Sequence, residues 1–313
     1  MKKALAIGID NYPTSPLTGC ANDASSFAAI IESNGDGSPN FDIVVQNNVA
    51  TKAELKKAIV ELFSGDNDTA IFYFSGHGTM NGLGGYIVTP DAQQYDEGVS
   101  MDEILVIANK SKTKNKIIIL DCCYSGAMGS PEFLGGSTSQ INEGLVILTA
   151  SKKDELATMS NGRSLFTDLL LDGLQGGAAD LMGSVTPGSL YAYIDQALGA
   201  WEQRPVFKTN VTNFTALRVV SAKVPIANLR KLTTYFPNPT DVYQLDPSYE
   251  FTNTGVAIDA NVAIFKDLQK FQSVNLVVPV DAEFMYFAAQ NSKSCKLTAL
   301  GAHYWRLVKN KRI

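Results

Sequence analysis

Two histidines occur in the chain, His77 and His303, with four cysteines, Cys20, Cys122, Cys123 and Cys295. His77 stands in "FSGHG" and the paired cysteines in "LDCCYSG", each directly after an apolar run. A thiol attacks well only as thiolate, and a neighbouring imidazole can take its proton or stabilise the anion. Adjacent cysteines do not bridge readily, because the short loop strains the bond. The four form neither a disulfide framework nor a paired CxxC zinc pattern. The combination points to nucleophilic chemistry. Side chains alternate along a strand, so only one of two neighbouring cysteines can face the imidazole. Counting on from "IIIL", Cys122 continues into the core and Cys123 opens the turn, but alternation alone leaves both eligible. Gly78 lets backbone come close to a substrate carbonyl. The Gly78 and Cys123 N–H groups could then form an oxyanion hole, a contribution of about 3–4 kcal/mol per donor in well-studied hydrolases.

The elements that would position these residues alternate along the first two-thirds of the chain. Strand patterns lie at 3–9, 41–46, 69–75, 116–121 and 144–150, with late strands at 204–210 and 214–220. Helical patterns lie at 22–33, from Thr51 to Phe63, after Ser100, and at 164–175 and 188–200. Thr51 with Glu54, and Ser100 with Glu103, read as capping boxes. Thr186-Pro187 opens the last helix. Strands alternating with helices predict an α/β fold, a mostly parallel sheet sandwiched by helices. In such a sheet the functional edge lies at the strand carboxyl ends. That edge would carry both His77 and the cysteines.

Four separated stretches resemble the caspase-like cysteine peptidases, and within them the metacaspase branch and its bacterial relatives. They are "IGIDNYPTSPLTGCANDA" (7–24), "YFSGHG" (73–78), "DCCYSG" (121–126), and "LTASKKDELA" with "SLFTDLLLDGL" (148–174). The histidine lying about 50 residues upstream of the cysteine also fits. The family motif is Asp-x-Cys-His-Ser-Gly with its third residue as nucleophile. The resemblance therefore implies Cys123 as nucleophile and His77 as base. Tyr124 replaces the family's usual histidine beside the nucleophile, a position that is not the base. The resemblance further implies an acidic specificity pocket at Asp23 and Asp121, with Ser151 lining it, and cleavage after Arg or Lys. A guanidinium can bind carboxylates bidentately. Asp23 could instead cap the helix near Asn22, and Asp121 could tie down the turn. The signature QAC[RQG]G of animal caspases is absent, which argues against cleavage after aspartate. Residues 126–144 contain no Lys or Arg. Self-cutting there is not expected of such an enzyme, although Lys152, Lys153 and Arg163 remain candidate cut sites.

After Val220 the texture changes to Pro, Asn and Thr, then to helical runs at 263–272 and 282–290. We expect a peptidase domain over 1–222 and a smaller α+β domain, winged-helix-like, over 223–313. Tyr304, Trp305 and Arg306 in the latter could hold a phosphate-bearing ligand, or Trp305 could pack inward with its cationic neighbours solvated. His303 reads as structural, and "KSKTKNK" (110–116) as a solvated loop. Compact bacterial proteins of this resemblance with an appended domain are similar to anti-phage effectors. That implies activation by a nucleotide-derived signal of the cyclic ADP-ribose type and a TIR-type partner system. A catalytically silent adaptor keeping the fold is the alternative. The formal net charge of −5, from 26 basic and 31 acidic residues, does not suggest nucleic acid as a partner. No apolar stretch is long enough to span a bilayer, so a cytoplasmic location is expected. No metal is expected. The expected partners are protein substrates with basic residues.

Overall fold

The structure, a computed structural model, describes residues 1–123, 128, 141–150, 159–160, 163–199 and 204–313. In chain order it runs β1 (Lys2–Gly8), α1 (Cys20–Ile31), β2 (Asp42–Asn47), α2 (Lys52–Leu62), β3 (Thr69–Ser75), β4 (Gly78–Asn81), β5 (Gly84–Gln93), β6 (Asp96–Ser100), α3 (Met101–Lys110), β7 (Asn115–Asp121) and β8 (Leu145–Thr149). It continues with β9 (Met159–Ser160), β10 (Arg163–Ser164), α4 (Leu165–Asp172), a π-turn (Gly173–Gly177), β11 (Ser184–Val185), α5 (Pro187–Leu198), β12 (Val206–Asn210) and β13 (Arg218–Val219).

The main sheet has the order β12-β8-β7-β3-β1-β2, with β12 antiparallel to β8 and the other pairings parallel. The chain adds β2 on one side of β1 and β3 on the other, so β1/β3 is the point where the winding reverses. Crevices that hold ligands form at such a point, outside the carboxyl ends of the strands. Alternation splits the strands between two cores. Ile71, Tyr73, Ile117 and Ile119 face Phe27 of α1, Leu170 of α4 and Ile194 of α5. Phe72, Phe74, Ile118 and Leu120 face Leu55 and Ile59 of α2 and Ile104 of α3. A strand buried on both faces must be apolar throughout, as "TAIFYFS" and "IIIL" are.

Several details differ from the sequence expectations. α1 begins at Cys20, two residues before the expected start. Its cap is distant: the Asp10 carboxylate accepts from the N–H groups of Cys20 at 2.9 Å and Ala21 at 3.1 Å. Thr51 accepts from Glu54 N–H, but Glu54 reaches back to the N–H of Ala50, one residue beyond the expected partner. Ser100 caps at Asp102 N–H, while Glu103 pairs with Lys56 across the helix layer. Residues 78–100 build a three-stranded antiparallel sheet, β4-β5-β6, where no strands were expected. Glycine-rich turns and short alternations leave only a weak signal there. Of 214–220, only Arg218–Val219 is strand, paired with β11. Lys116 is not in a solvated loop. It lies buried in β7 and donates to the Glu143 carbonyl at 2.9 Å.

The chain divides into two compact units, Met1–Ala179 with Ser184–Ser221, and Asp180–Gly183 with Ala222–Ile313. The second is α+β: α6 (Ile226–Leu229), α7 (Leu232–Tyr235), β14 (Val242–Gln244), a 3-10 turn (Pro247–Tyr249), α8 (Asp259–Ser273), β15 (Val277–Val280), α9 (Met285–Gln290), β16 (Ser294–Leu297) and α10 (Ala299–Lys309). Its antiparallel sheet has the order β14-β16-β15. Phe236, Phe271, Leu268 and Trp305 fill its core, and Leu181 and Met182 pack against it. Asp267 in α8 accepts from Lys231 Nζ and Tyr235 OH, both at 2.7 Å. These bonds hold its carboxyl below the usual range although burial opposes them.

Candidate active site

β3 and β7 are neighbours, with Ser75 opposite Asp121 in register. The two loops that leave these strand ends therefore start side by side. They touch at Gly78: a Cβ there would lie 2.1 Å from the Cys123 carbonyl oxygen and 3.1 Å from Cys122 Sγ. Only glycine fits, because the backbone after the cysteine occupies the place of a side chain. The glycine expected to admit substrate thus also admits the neighbouring loop.

Alternation then separates the cysteines. Cys122 follows Leu120 into the core beneath α2 and α3, at 6% exposure. Cys123 is half-buried at the turn. Burial, and after it the Asp121 carboxylate, pushes the Cys123 thiol up, so the resting sulfur holds its proton. A sulfur in that state needs a base at the moment of attack.

His77 is held from three sides. Its Nε2 lies 2.7 Å from the Ser15 carbonyl oxygen. A carbonyl can only accept, so Nε2 carries hydrogen and Nδ1 is the basic nitrogen when the ring is neutral. Its backbone N–H donates to Tyr12 OH at 3.0 Å, and Tyr12 OH donates on to the Val88 carbonyl at 3.3 Å. Val88 N–H returns directly to the His77 carbonyl at 2.9 Å. His77 and Val88 thus form a hydrogen-bonded antiparallel pair into which a phenol is wedged. The next pair, Gly78 with Ile87, is consequently the non-bonded kind, and the Gly78 N–H points away from β5. The Tyr12 ring meets the imidazole edge-on, with centroids 4.5 Å apart.

The acceptor loop, residues 9–19, is itself pinned. Asn48 Oδ1 accepts from the N–H groups of Asp10 and Asn11, and the Asp10 carbonyl accepts from Tyr12 and Leu17. Sequence reasoning passed over Tyr12, Ser15 and Asp10. "IDNYPTSP" carried the signal, but a backbone carbonyl has no side-chain signature and the phenol works through the strand ladder.

Behind the cysteine turn lie two buried carboxylates. Asp23, in the first turn of α1, is 0% exposed and Asp121 is 4% exposed. Ser75 Oγ donates to Asp23 Oδ2 at 3.3 Å, while Asp23 Oδ1 has no partner among the described residues. Thr167 Oγ1 donates to Asp121 Oδ2 at 2.6 Å. Burial, and next the nearby Asp121, pushes Asp23 up to about 7. Burial raises Asp121 as well. Two buried carboxylates that feel each other's charge favour either a proton on one of them or a bound cation. Arg163, in β10, acts on Asp23 from a distance; its guanidinium donates to Ser26 Oγ at 2.8 Å and lies 3.8 Å from Asp168.

Ser151, Tyr124, Lys152, Lys153 and most of 126–144 lie outside the described residues. The three candidate ligand residues of the second unit do not converge. Trp305 is in the core, its indole donating to the Phe236 carbonyl at 2.6 Å, while Arg306 is exposed and Tyr304 half-buried on the flanking faces of α10. His303 is exposed on that helix. None of the four cysteines is in a disulfide. Among the described residues, no helix is long and apolar enough to cross a membrane, and no group of three metal-ligating side chains occurs.

A parallel sheet carrying a cysteine and a histidine on adjacent strand ends defines the class. The caspase-domain model of the C14 peptidases matches residues 1–215, and the chain belongs to that family of cysteine peptidases. Two solved structures share the fold. A structural-genomics target protein from Geobacter sulfurreducens is 18% identical, covers 71% of this chain and 100% of its own, and has a TM-score of 0.52. Caspase-1 from Spodoptera frugiperda is 14% identical, covers 70% of this chain and 90% of its own, and has a TM-score of 0.50. No curated protein matches the chain.

Proposed function

We propose that the protein is a cysteine endopeptidase that cuts after arginine or lysine with Cys123 as nucleophile and His77 as base. The carrying observation is the fixed tautomer: Nε2 is committed to the Ser15 carbonyl, which leaves Nδ1 to take the thiol proton. The sulfur then attacks the carbonyl carbon before the scissile bond. The developing oxyanion meets the N–H groups of Gly78 and Cys123. The imidazolium returns its proton to the leaving amine, which departs, and the acyl group stays on sulfur. Water, deprotonated by the same imidazole, attacks the thioester and releases the acid.

Asp23 and Asp121 supply the negative charge that selects a basic side chain. Such a substrate cation would take the place of the proton that burial favours on the pair. An arginyl-peptide amide assay tests the reading. Wild type should release the amine, and Cys123→Ala should reduce the rate to background. Equal signal from both proteins would favour a catalytically silent adaptor instead. We further propose that a ligand or partner bound through residues 222–313 raises this activity, a nucleotide-derived signal of the cyclic ADP-ribose type being the candidate. The linker 126–144, which offers no basic cut site, supports activation by binding. An unchanged rate across such nucleotides and TIR-type partners would remove that part.

A further inference from the structure

Asp121 does not stand alone at the end of β7; it terminates a hydrogen-bond relay through three elements. Thr167 Oγ1 of α4 donates to Asp121 Oδ2 at 2.6 Å. The same oxygen lies 2.6 Å from Tyr73 OH of β3. Threonine has one hydroxyl proton and spends it on the carboxylate, so the phenol donates to the threonine. Thr167 and Tyr73 are both 0% exposed. The Tyr73 ring is stacked on Phe27 of α1, with centroids 4.6 Å apart and planes 12° apart, which fixes the start of the relay. Burial and the neighbouring carboxylates keep this phenol protonated, so it remains a donor.

We infer that Thr167, backed by Tyr73, is the positioning residue that holds the Asp121 carboxyl aimed, and thereby sets the preference for a basic residue before the scissile bond. The inference rests on the reading of Asp23 and Asp121 as the specificity carboxylates. Both act through Asp121: the Thr167 hydroxyl is spent on its Oδ2, and the Tyr73 hydroxyl on Thr167. Burial opposes the charge on Asp121, and the Thr167 hydroxyl favours it. The other groups around Asp23 and Asp121 are Cys20, Tyr73 and Arg163, with Ser75 and Ser164. The Arg163 guanidinium is spent on Ser26 Oγ and near Asp168, so it does not replace the relay at Asp121. Without the hydroxyl, the pair would keep its proton to higher pH and compete less well for a guanidinium.

Thr167→Val tests this, since it keeps shape and removes one donor. The readout is kcat and KM on paired peptides with arginine or its uncharged isostere citrulline before the cut, across pH, with circular dichroism confirming the fold. We expect the preference for arginine to fall about 10- to 100-fold, the range for losing a hydrogen bond to a charged group. The loss should appear in KM, and the acid limb of kcat/KM for arginine should move to higher pH. Thr167→Ser should restore both. Tyr73→Phe should shift both in the same direction by a smaller factor, and it carries the test with Thr167→Ser should the valine variant not fold. An unchanged preference and acid limb in Thr167→Val or in Tyr73→Phe would overturn the positioning role alone. Equal behaviour of the serine and valine variants would do the same. If wild type itself does not prefer arginine to citrulline, the carboxylate reading falls and the relay's role falls with it.

Discussion

Side chains set two opposed pH demands. Asp23 is pushed from an ordinary 3.8 up to about 7 by burial and by Asp121. A carboxyl whose folded value is raised holds its proton more tightly when native. Its contribution to stability is therefore full below about pH 4 and is lost as pH rises toward 7, at roughly 1.4 kcal/mol per unit for one such group. Arginine binding needs the charge and so gains over that same window. Asp23→Asn should flatten the decline in stability between pH 4 and 7, measured by urea unfolding, while weakening selection of arginine. A slope identical to wild type would show that Asp23 is not the group that titrates. Cys122 and Cys123 illustrate what sequence could reach at this scale. The alternation from "IIIL" leans Cys122 toward the core without deciding between the two, and the structure buries Cys122 and leaves Cys123 half-buried at the turn. The partner of Nε2 could not be foreseen, since any of the carbonyls in residues 9–19 was eligible.

The β1–α1 connection works as a single element with two ends. Asp10 caps α1 through Cys20 and Ala21, and its own carbonyl folds the loop back on Tyr12 and Leu17. Ser15, which meets the histidine, lies between. Asp10→Ala should therefore cost about 1–2 kcal/mol as a lost cap and also reduce kcat, because the loop that carries the Ser15 carbonyl loses its side-chain tie to the start of α1 and keeps only its backbone bonds. Thermal melting and steady-state rates check the two effects; a destabilised variant with full kcat would deny the connection any catalytic role. The inner parallel strands and their helices were readable because each strand is a short continuous apolar run and each helix carries an apolar stripe of period 3.6. The antiparallel sheet at 78–100 was not. Its partners are held by turn geometry and by contacts such as the Tyr12 wedge, which local propensity does not encode. The start of α1 was misplaced for a similar reason: its capping residue sits ten positions upstream of Cys20.

At the scale of the whole chain, the two faces of the main sheet carry one core each and the second unit a third, and composition alone marks the change near residue 220. What composition does not mark is the brief excursion of residues 180–183 into the second unit. Leu181 and Met182 pack against the core that holds Phe236 and Trp305. A fragment spanning 222–313 should accordingly be less stable than the same unit within the full chain, by about 1–3 kcal/mol for the missing apolar cover. Chemical denaturation of the fragment, set against the second transition of the intact protein, measures this. Equal midpoints would show that the four residues add nothing.

That excursion also constrains how such a molecule can be rearranged. A module fused at a single junction can be moved between hosts as a simple tail, but this one is stitched to its host in two places. A chimera grafted at residue 221 onto another host domain would arrive without part of its own lining, and a transplant would have to carry a four-residue loop of the donor's first unit with it.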